Sequence, residues 1–121
     1  MPVLIVDDND DVAALLAEAL GMDGHQVRIA SGGPSALRLV RHFKPTVALL
    51  DIGLPGMDGY ELAARLRSDG LSSVRLIAVT GYGQVTDRER SAASGFDAHL
   101  VKPVDVHELA RTIRVLMENS A

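Results

Sequence analysis

The chain has 121 residues, which suits one domain and is short for two. Hydrophobic residues make up 47% of it, so it can bury a core, and the lack of cysteine excludes disulfides and thiolate chemistry. A formal net charge of -4 argues against a nucleic-acid or anionic-membrane surface, and no apolar run is long enough for a signal peptide or a membrane span, so we expect a cytoplasmic module.

The first half of the chain alternates strand-like runs with helical segments. A continuously apolar run at Val3–Val6 is typical of a strand buried on both faces of a sheet. The segment from about Asp10 to Met22 has helical period, with an expected apolar face of Val12, Leu15, Leu16 and Ala19. A weaker strand at Gln26–Ala30 follows, and a second helix is predicted to open at Gly33 and Pro34.

The second half repeats this alternation. Apolar runs at Val47–Leu50 and Leu76–Val79 predict buried strands, and a weaker strand is predicted at Ala98–Val101. Each is followed by a capping residue with glutamate three positions later, which predicts helices beginning near Asp58, Thr86 and Asp105. Repeated β-α units with right-handed crossovers predict a doubly wound α/β domain: a five-stranded parallel sheet of flavodoxin-like order 2-1-3-4-5.

Polar side chains follow these strands at the edge where doubly wound sheets bind ligands. Asp7 and Asp8 follow the first strand, Asp51 the third, Thr80 the fourth and Lys102 the fifth. Carboxylates brought together repel one another and need a cation, and an all-oxygen site suits Mg²⁺. A carboxylate can attack a phosphoryl group, while a lysine and a threonine hydroxyl can bond its oxygens, so the set is sufficient for phosphoryl transfer.

Four motifs at these strand ends resemble the signatures of response-regulator receiver domains, in the right order along the whole chain. They are Val6-Asp7-Asp8-Asn9, Leu50-Asp51-Ile52-Gly53-Leu54-Pro55-Gly56-Met57-Asp58-Gly59, Val79-Thr80-Gly81 and Leu100-Val101-Lys102-Pro103. The resemblance implies a single receiver domain over residues 1–121 that takes a phosphoryl group from a phosphohistidine onto Asp51. It also implies that Mg²⁺ is held by Asp7, Asp8, Asp51 and the backbone carbonyl of Gly53. The resemblance further implies that Thr80 takes part in the conformational switch, that Lys102 bonds the phosphoryl group, and that the Lys102–Pro103 peptide is cis.

One position departs from the family pattern. Receivers usually carry Tyr or Phe three residues before the lysine, and this chain has His99 there. In receivers that aromatic ring moves inward when the threonine moves, and whether this chain makes the same movement is left open by the histidine. We expect His99 to be a partly buried structural residue. Tyr82 and Gly53, each two residues beyond a site residue, are further positions expected to modulate the site.

The resemblance also implies partners. A histidine kinase or histidine phosphotransfer domain would supply the phosphoryl group, and a downstream effector would read it, with no direct contact to nucleic acid or membrane. The domain would assist its own phosphorylation and dephosphorylation without being an enzyme otherwise. The stretch Gly95–Asp105 is similar to receivers of hybrid sensor histidine kinases, which favours a domain of such a protein over a free-standing regulator.

Three alternatives differ in function. A haloacid-dehalogenase-type phosphatase needs an acid two residues after its nucleophilic aspartate, and that position is Gly53. A flavodoxin-type nucleotide module needs a phosphate-binding loop after the first strand, where the run of acids from Asp7 to Asp11 would repel phosphate. A degenerate receiver that only binds partners is disfavoured by the complete set of acids.

Overall fold

The computed structural model describes residues 1–81 and 93–118. Within these ranges the elements are β1 Pro2–Val6, α1 Asp10–Met22, β2 Gln26–Ala30, α2 Gly33–Leu39, β3 Val47–Asp51, α3 Gly59–Ser68, β4 Arg75–Thr80, β5 Ala98–Val101 and α4 Val106–Glu118. The helix predicted to begin near Thr86 lies outside the described residues.

The sheet confirms the predicted class and strand order. All neighbouring strands are parallel, and the order is β2-β1-β3-β4-β5. The register pairs Val6 with Leu50, Asp51 with Val79, and Thr80 with Val101. The carboxyl ends of the central strands therefore meet at one edge of the sheet.

The sheet buries both of its faces, which explains why its central strands are continuously apolar. Leu4 and Val6 of β1 face a core that also includes side chains of α2 and α3. Val3 and Ile5, on the opposite face, pack into a second core with α1 and α4. Because successive strand residues point to opposite faces, each apolar residue of β1 contributes to one core or the other.

The buried face of α1 differs from the predicted one. Its buried side chains are Ala13, Leu16 and Leu20, whereas Leu15 is 66% exposed. Residues spaced by three and four positions share a helix face, so a stripe through Ala13, Leu16 and Leu20 turns the adjacent Leu15 outward. The four residues of the predicted face do line one apolar cleft, but only Leu16 among them is buried, while Val12 and Ala19 are half-buried.

Short polar contacts set the helix ends. The side chain of Asn9 accepts a hydrogen bond from the Val12 N–H at the start of α1, and Asp58 accepts one from the Glu61 N–H at the start of α3. Gly24, just after α1, has φ of 88°, in the left-handed region that favours glycine. Among the described residues, the helices are all too short or too polar to cross a membrane.

Candidate functional site

The strand-end residues singled out from the sequence meet at the carboxyl edge of the sheet. Asp51 and Thr80 are the last residues of β3 and β4, while Asp7 and Lys102 directly follow β1 and β5. Asp7, Asp51 and Thr80 are almost fully buried, with relative exposures of 4%, 6% and 3%. Buried polar side chains at the ends of apolar strands indicate a built site, since leaving such groups without partners is costly.

Three carboxylates form an acidic cluster. Asp7, Asp8 and Asp51 each offer an oxygen, and these atoms all lie within 4.8 Å of one another. Asp8 is exposed, whereas the other two are buried. The cluster therefore has one solvent-facing side, through which a cation or a phosphoryl group can enter.

Lys102 is the cation that faces this cluster. Its Nζ lies 3.0 Å from Asp51 Oδ2, to which it donates a hydrogen bond, and 3.4 Å from Asp7 Oδ2. Burial of the ammonium lowers the Lys102 pKa, but the hydrogen bond and charge of Asp51, together with the charge of Asp7, outweigh it and raise the pKa overall. Lys102 is thus charged at neutral pH.

The surroundings of Asp7 raise the pKa of its carboxyl. Burial raises the pKa of its carboxyl, and the nearby charge of Asp51 adds to that effect. The Asn9 N–H, which donates to Asp7 Oδ1 over 2.9 Å, and Lys102 act in the opposite direction without cancelling the rise in the pKa. One ammonium leaves three clustered carboxylates under-neutralised, and oxygen-only donors of this kind fit Mg²⁺.

The carboxylate of Asp51 is held at both of its oxygens. Its Oδ1 accepts a hydrogen bond from the Gly53 N–H over 2.9 Å, and its Oδ2 accepts the one from Lys102. Gly59, at the start of α3, lies so close that an added Cβ would be 2.6 Å from the backbone oxygen of Asp51. The first turn of α3 can therefore lie against the end of β3 only because residue 59 has no side chain.

The position of Lys102 is set by the end of β5. Its N–H donates to the carbonyl of Thr80 over 2.7 Å, which extends the pairing of the two strands by one bond. The Lys102–Pro103 peptide is cis, as the resemblance implied. Thr80 and Lys102, predicted to act together, are thus neighbours at the same edge of the sheet.

His99 does not lie where we expected. It is exposed, because β5 alternates and its Leu100 occupies the core beneath α1 and α4. The His99 ring lies 6.0 Å from the ring of Phe96, which makes an edge contact with Tyr60 at 6.1 Å. The expectation of a partly buried histidine is wrong, and Tyr82 lies outside the described residues.

Sequence reasoning missed Arg67, whose hydrogen bonds lie beside the amino ends of β4 and β5, at the edge of the sheet opposite the site. Its guanidinium donates to the carbonyls of Val74 and Gly95 over 2.6 and 2.7 Å and pairs with Asp97 at 3.2 Å. These bonds join the end of α3 to the chain entering β4 and β5. An arginine in the last turn of a predicted helix was the only available signal, and it is too common to be informative.

Comparisons with known proteins agree on one family. A sequence model of the "Response regulator receiver domain" matches residues 3–114. Sporulation initiation phosphotransferase F of Bacillus subtilis is 34% identical over 112 residues, which cover 93% of this chain and 90% of that protein. The probable transcriptional regulator ycf27 of Guillardia theta is 38% identical over 98% of this chain, and the sensor histidine kinase RcsC of Escherichia coli K12 is 35% identical over 98%. The chain spans only 46% and 12%, respectively, of the length of those two relatives.

Solved structures support the same fold. A response regulator receiver domain protein (CheY-like) from Methanospirillum hungatei matches with a TM-score of 0.90 and 29% identity, covering 98% of this chain and 94% of that one. A putative response regulator from Chloroflexus aurantiacus matches with a TM-score of 0.88 and 30% identity, covering 97% of each chain.

Proposed function

Because the chain belongs to the response regulator receiver domain family of two-component signalling, we propose that Asp51 is its phosphoacceptor. The observation that carries this proposal is the placement of the Asp51 carboxylate, buried beside two other acids and 3.0 Å from the Lys102 ammonium. An oriented carboxylate next to a fixed cation is suited to attack phosphorus, since phosphoryl transfer depends mainly on positioning and charge neutralisation.

In the proposed transfer, an Asp51 carboxylate oxygen forms a bond to the phosphorus of a phosphohistidine. The nitrogen–phosphorus bond breaks, and its electron pair returns to the donor imidazole. Lys102 already donates to Asp51 Oδ2, so it is placed to donate to an oxygen of the arriving phosphoryl group. Thr80, buried at the neighbouring strand end, is proposed to offer its hydroxyl to another oxygen and to switch the conformation as it does so.

We propose Mg²⁺ as the cofactor, held by Asp7, Asp8, Asp51 and the carbonyl of Gly53. The observation in favour is the charge of the site, where three carboxylates and one ammonium leave a formal charge of about -2 that a divalent cation would balance. When bound, the ion neutralises negative charge on the transferring group. Asp7 also pairs with Lys102 and accepts a hydrogen bond from the Asn9 N–H.

The exposed face of α1 is proposed to receive the phosphodonor. Leu15 and Met22 are 66% and 83% exposed and line an apolar cleft with Pro103 and Val104 that continues to Lys102. An apolar helix face beside the site fits a helix that carries the donor histidine. On this view a histidine kinase or histidine phosphotransfer domain docks there, and a separate effector reads the switched state.

Further aspects of the proposal follow from the family. We propose that residues 1–121 act as one receiver domain of a cytoplasmic phosphorelay and belong to a hybrid histidine kinase. The proposed domain has no enzymatic activity beyond its own phosphorylation and dephosphorylation. Gly53, His99 and Tyr82 are proposed to modulate the lifetime and the read-out of the phosphoryl group. The phosphatase alternative is not favoured, since Gly53 offers no acid.

The test is chemical labelling of the purified chain. Incubation with acetyl phosphate and Mg²⁺ should add one phosphoryl group to Asp51, mapped by mass spectrometry after trapping, and EDTA should abolish it. Asp51→Asn should remove the label, whereas the matched control Asp69→Asn, an exposed acid outside the cluster, should keep it. A label on histidine or serine, or equal labelling with EDTA, would contradict the proposal.

A further inference from the structure

The charges of this acidic protein are strongly segregated. Residues 24–50 contain four Lys and Arg and no Asp or Glu, while the rest of the chain contains eight Lys and Arg and sixteen Asp and Glu. The segment therefore carries +4 in a chain whose formal net charge is -4. We call its four cations, Arg28, Arg38, Arg41 and Lys44, the α2 basic surface.

All four side chains of the α2 basic surface are exposed. Within residues 1–81 and 93–118, none of them is paired with an acid within 4.0 Å. The Arg28 guanidinium lies over the Phe43 ring at 5.3 Å and donates to the carbonyl of Val27, which orients the group without neutralising its charge. Asp69 lines the same shallow cavity as Arg41 and Lys44, but its carboxylate lies more than 4.0 Å from the charged nitrogen atoms of both.

Local helix electrostatics account for only part of this surface. A cation in the last turn of a helix offsets the partial negative charge of its carbonyls, and Arg38 has that position in α2. Arg41 and Lys44 lie beyond the end of this seven-residue helix, and Arg28 is on β2. Cations from two elements thus meet on one side of the molecule with no acid of the described residues to pair them.

We propose that the α2 basic surface binds an acidic polypeptide segment of a partner protein. Charge complementarity favours an acidic ligand, and the negative charge of the rest of the chain limits how large that ligand can be. A duplex or a membrane extends beyond the basic surface and would meet the excess of acids elsewhere, whereas a short segment can lie on the basic surface alone, where acids farther away than the Debye length of about 8 Å at physiological salt are largely screened. A compact acidic loop or helix therefore fits better than an extended polyanion.

The surface lies away from the phosphoacceptor. Lys44 precedes β3, whereas Asp51 ends it, so the length of that strand, about 13 Å at ~3.3 Å per residue, separates Lys44 from Asp51. A ligand on the α2 basic surface would leave the acidic cluster and the apolar cleft of α1 open. The proposed contact can therefore persist through phosphorylation and act as a tether.

The probe is a fluorescein-labelled 12-residue peptide of alternating glutamate and alanine, titrated in 0.15 M salt and followed by polarisation and by amide NMR shifts. Shifts should concentrate in residues 24–46. The double variant Arg38→Gln/Arg41→Gln should weaken binding by roughly 2- to 30-fold, taking the usual range for two exposed ion pairs. The matched variant Arg111→Gln/Arg114→Gln removes two exposed arginines with the same spacing from α4 and should change binding by less than about twofold.

Two further measurements keep the proposal open to refutation. Arg38→Lys/Arg41→Lys preserves the charge and should bind the peptide nearly as well as the wild type, which excludes a folding defect as the cause of any loss. Equal weakening in the α2 and α4 variants, or no shifts in residues 24–46, would overturn the assigned surface. A 20-base-pair duplex or phosphatidylglycerol vesicles that bind more tightly than the peptide would overturn the assigned class of partner.

Discussion

Replacing Lys102 with methionine should separate its two proposed roles, because the change removes the charge and keeps most of the side-chain length. In the structure, the ammonium contacts both Asp51 and Asp7, at 3.0 and 3.4 Å. Without it, three carboxylates share one site with no cation of the described residues to offset them. We expect the metal-free protein to be less stable, Mg²⁺ binding to be tighter, and phosphorylation to be strongly impaired.

The magnitudes follow from the contacts. Removing one partner of a buried ion pair costs about 3–5 kcal/mol, and the 28% exposure of the Lys102 side chain reduces our expectation to about 1–3 kcal/mol. If the ion contacts either oxygen of the Asp51 carboxylate at ~2.1 Å while the ammonium stays 3.0 Å from Oδ2, the two cations are about 7 Å apart at most. Their repulsion is then at least about 1 kcal/mol even in a water-like dielectric, so its loss should tighten Mg²⁺ binding about fivefold or more.

Two assays at pH 7 separate these effects. Urea unfolding with EDTA measures the free energy of unfolding, and calorimetric titration measures Mg²⁺ affinity. Below the ordinary lysine pKa of 10.5 the stabilising effect of the raised Lys102 pKa is fully present, and it is lost as the pH rises through the folded-state value. The wild type should therefore lose its advantage over Lys102→Met only at strongly alkaline pH. Weaker Mg²⁺ binding in the variant would refute the reasoning and would mean that Lys102 organises the site structurally.

Further substitutions test the packing of the fold and the charge of the site. Gly59→Ala should destabilise the fold and slow phosphorylation, because the added Cβ would lie 2.6 Å from the last carbonyl oxygen of β3. Gly21→Ala in α1, where an added Cβ meets open space, should instead stabilise the fold by about 0.5–1 kcal/mol in thermal or urea unfolding. Leu16→Ala should cost about 2–4 kcal/mol of unfolding free energy and Leu15→Ala less than about 0.5 kcal/mol, and equal costs would contradict the assigned face of α1. Asp7→Asn should raise the melting temperature in EDTA, because a carboxyl with a raised pKa opposes folding once it ionises, as the pH rises above 3.8. The same variant should no longer be stabilised by Mg²⁺. An unchanged response of the melting temperature to Mg²⁺ would exclude Asp7 from the metal site.

Much of the fold was predictable because its signals are local. The bounds of α1, β2 and β5 agree with the predicted ones, while β1 and β3 are one residue longer at one end and β4 is one residue longer at each end. Continuous apolar runs indicate strands covered on both faces, and β-α alternation with right-handed crossovers leaves few arrangements. Once the strands are parallel, the residues after them must gather at one edge, so the meeting of Asp7, Asp51 and Lys102 follows from the order of the elements.

Tertiary structure alone decided which side chains are covered. Leu15 and Leu16 are equally apolar in the sequence, but the rotation of α1 on the sheet buries only Leu16. His99 is exposed because of how β5 alternates at the margin of the sheet, and the role of Gly59 depends on how closely α3 approaches β3. Helical period and strand composition depend on neighbours along the chain, whereas burial depends on contacts between segments that are distant in sequence, and these exist only when the elements pack together.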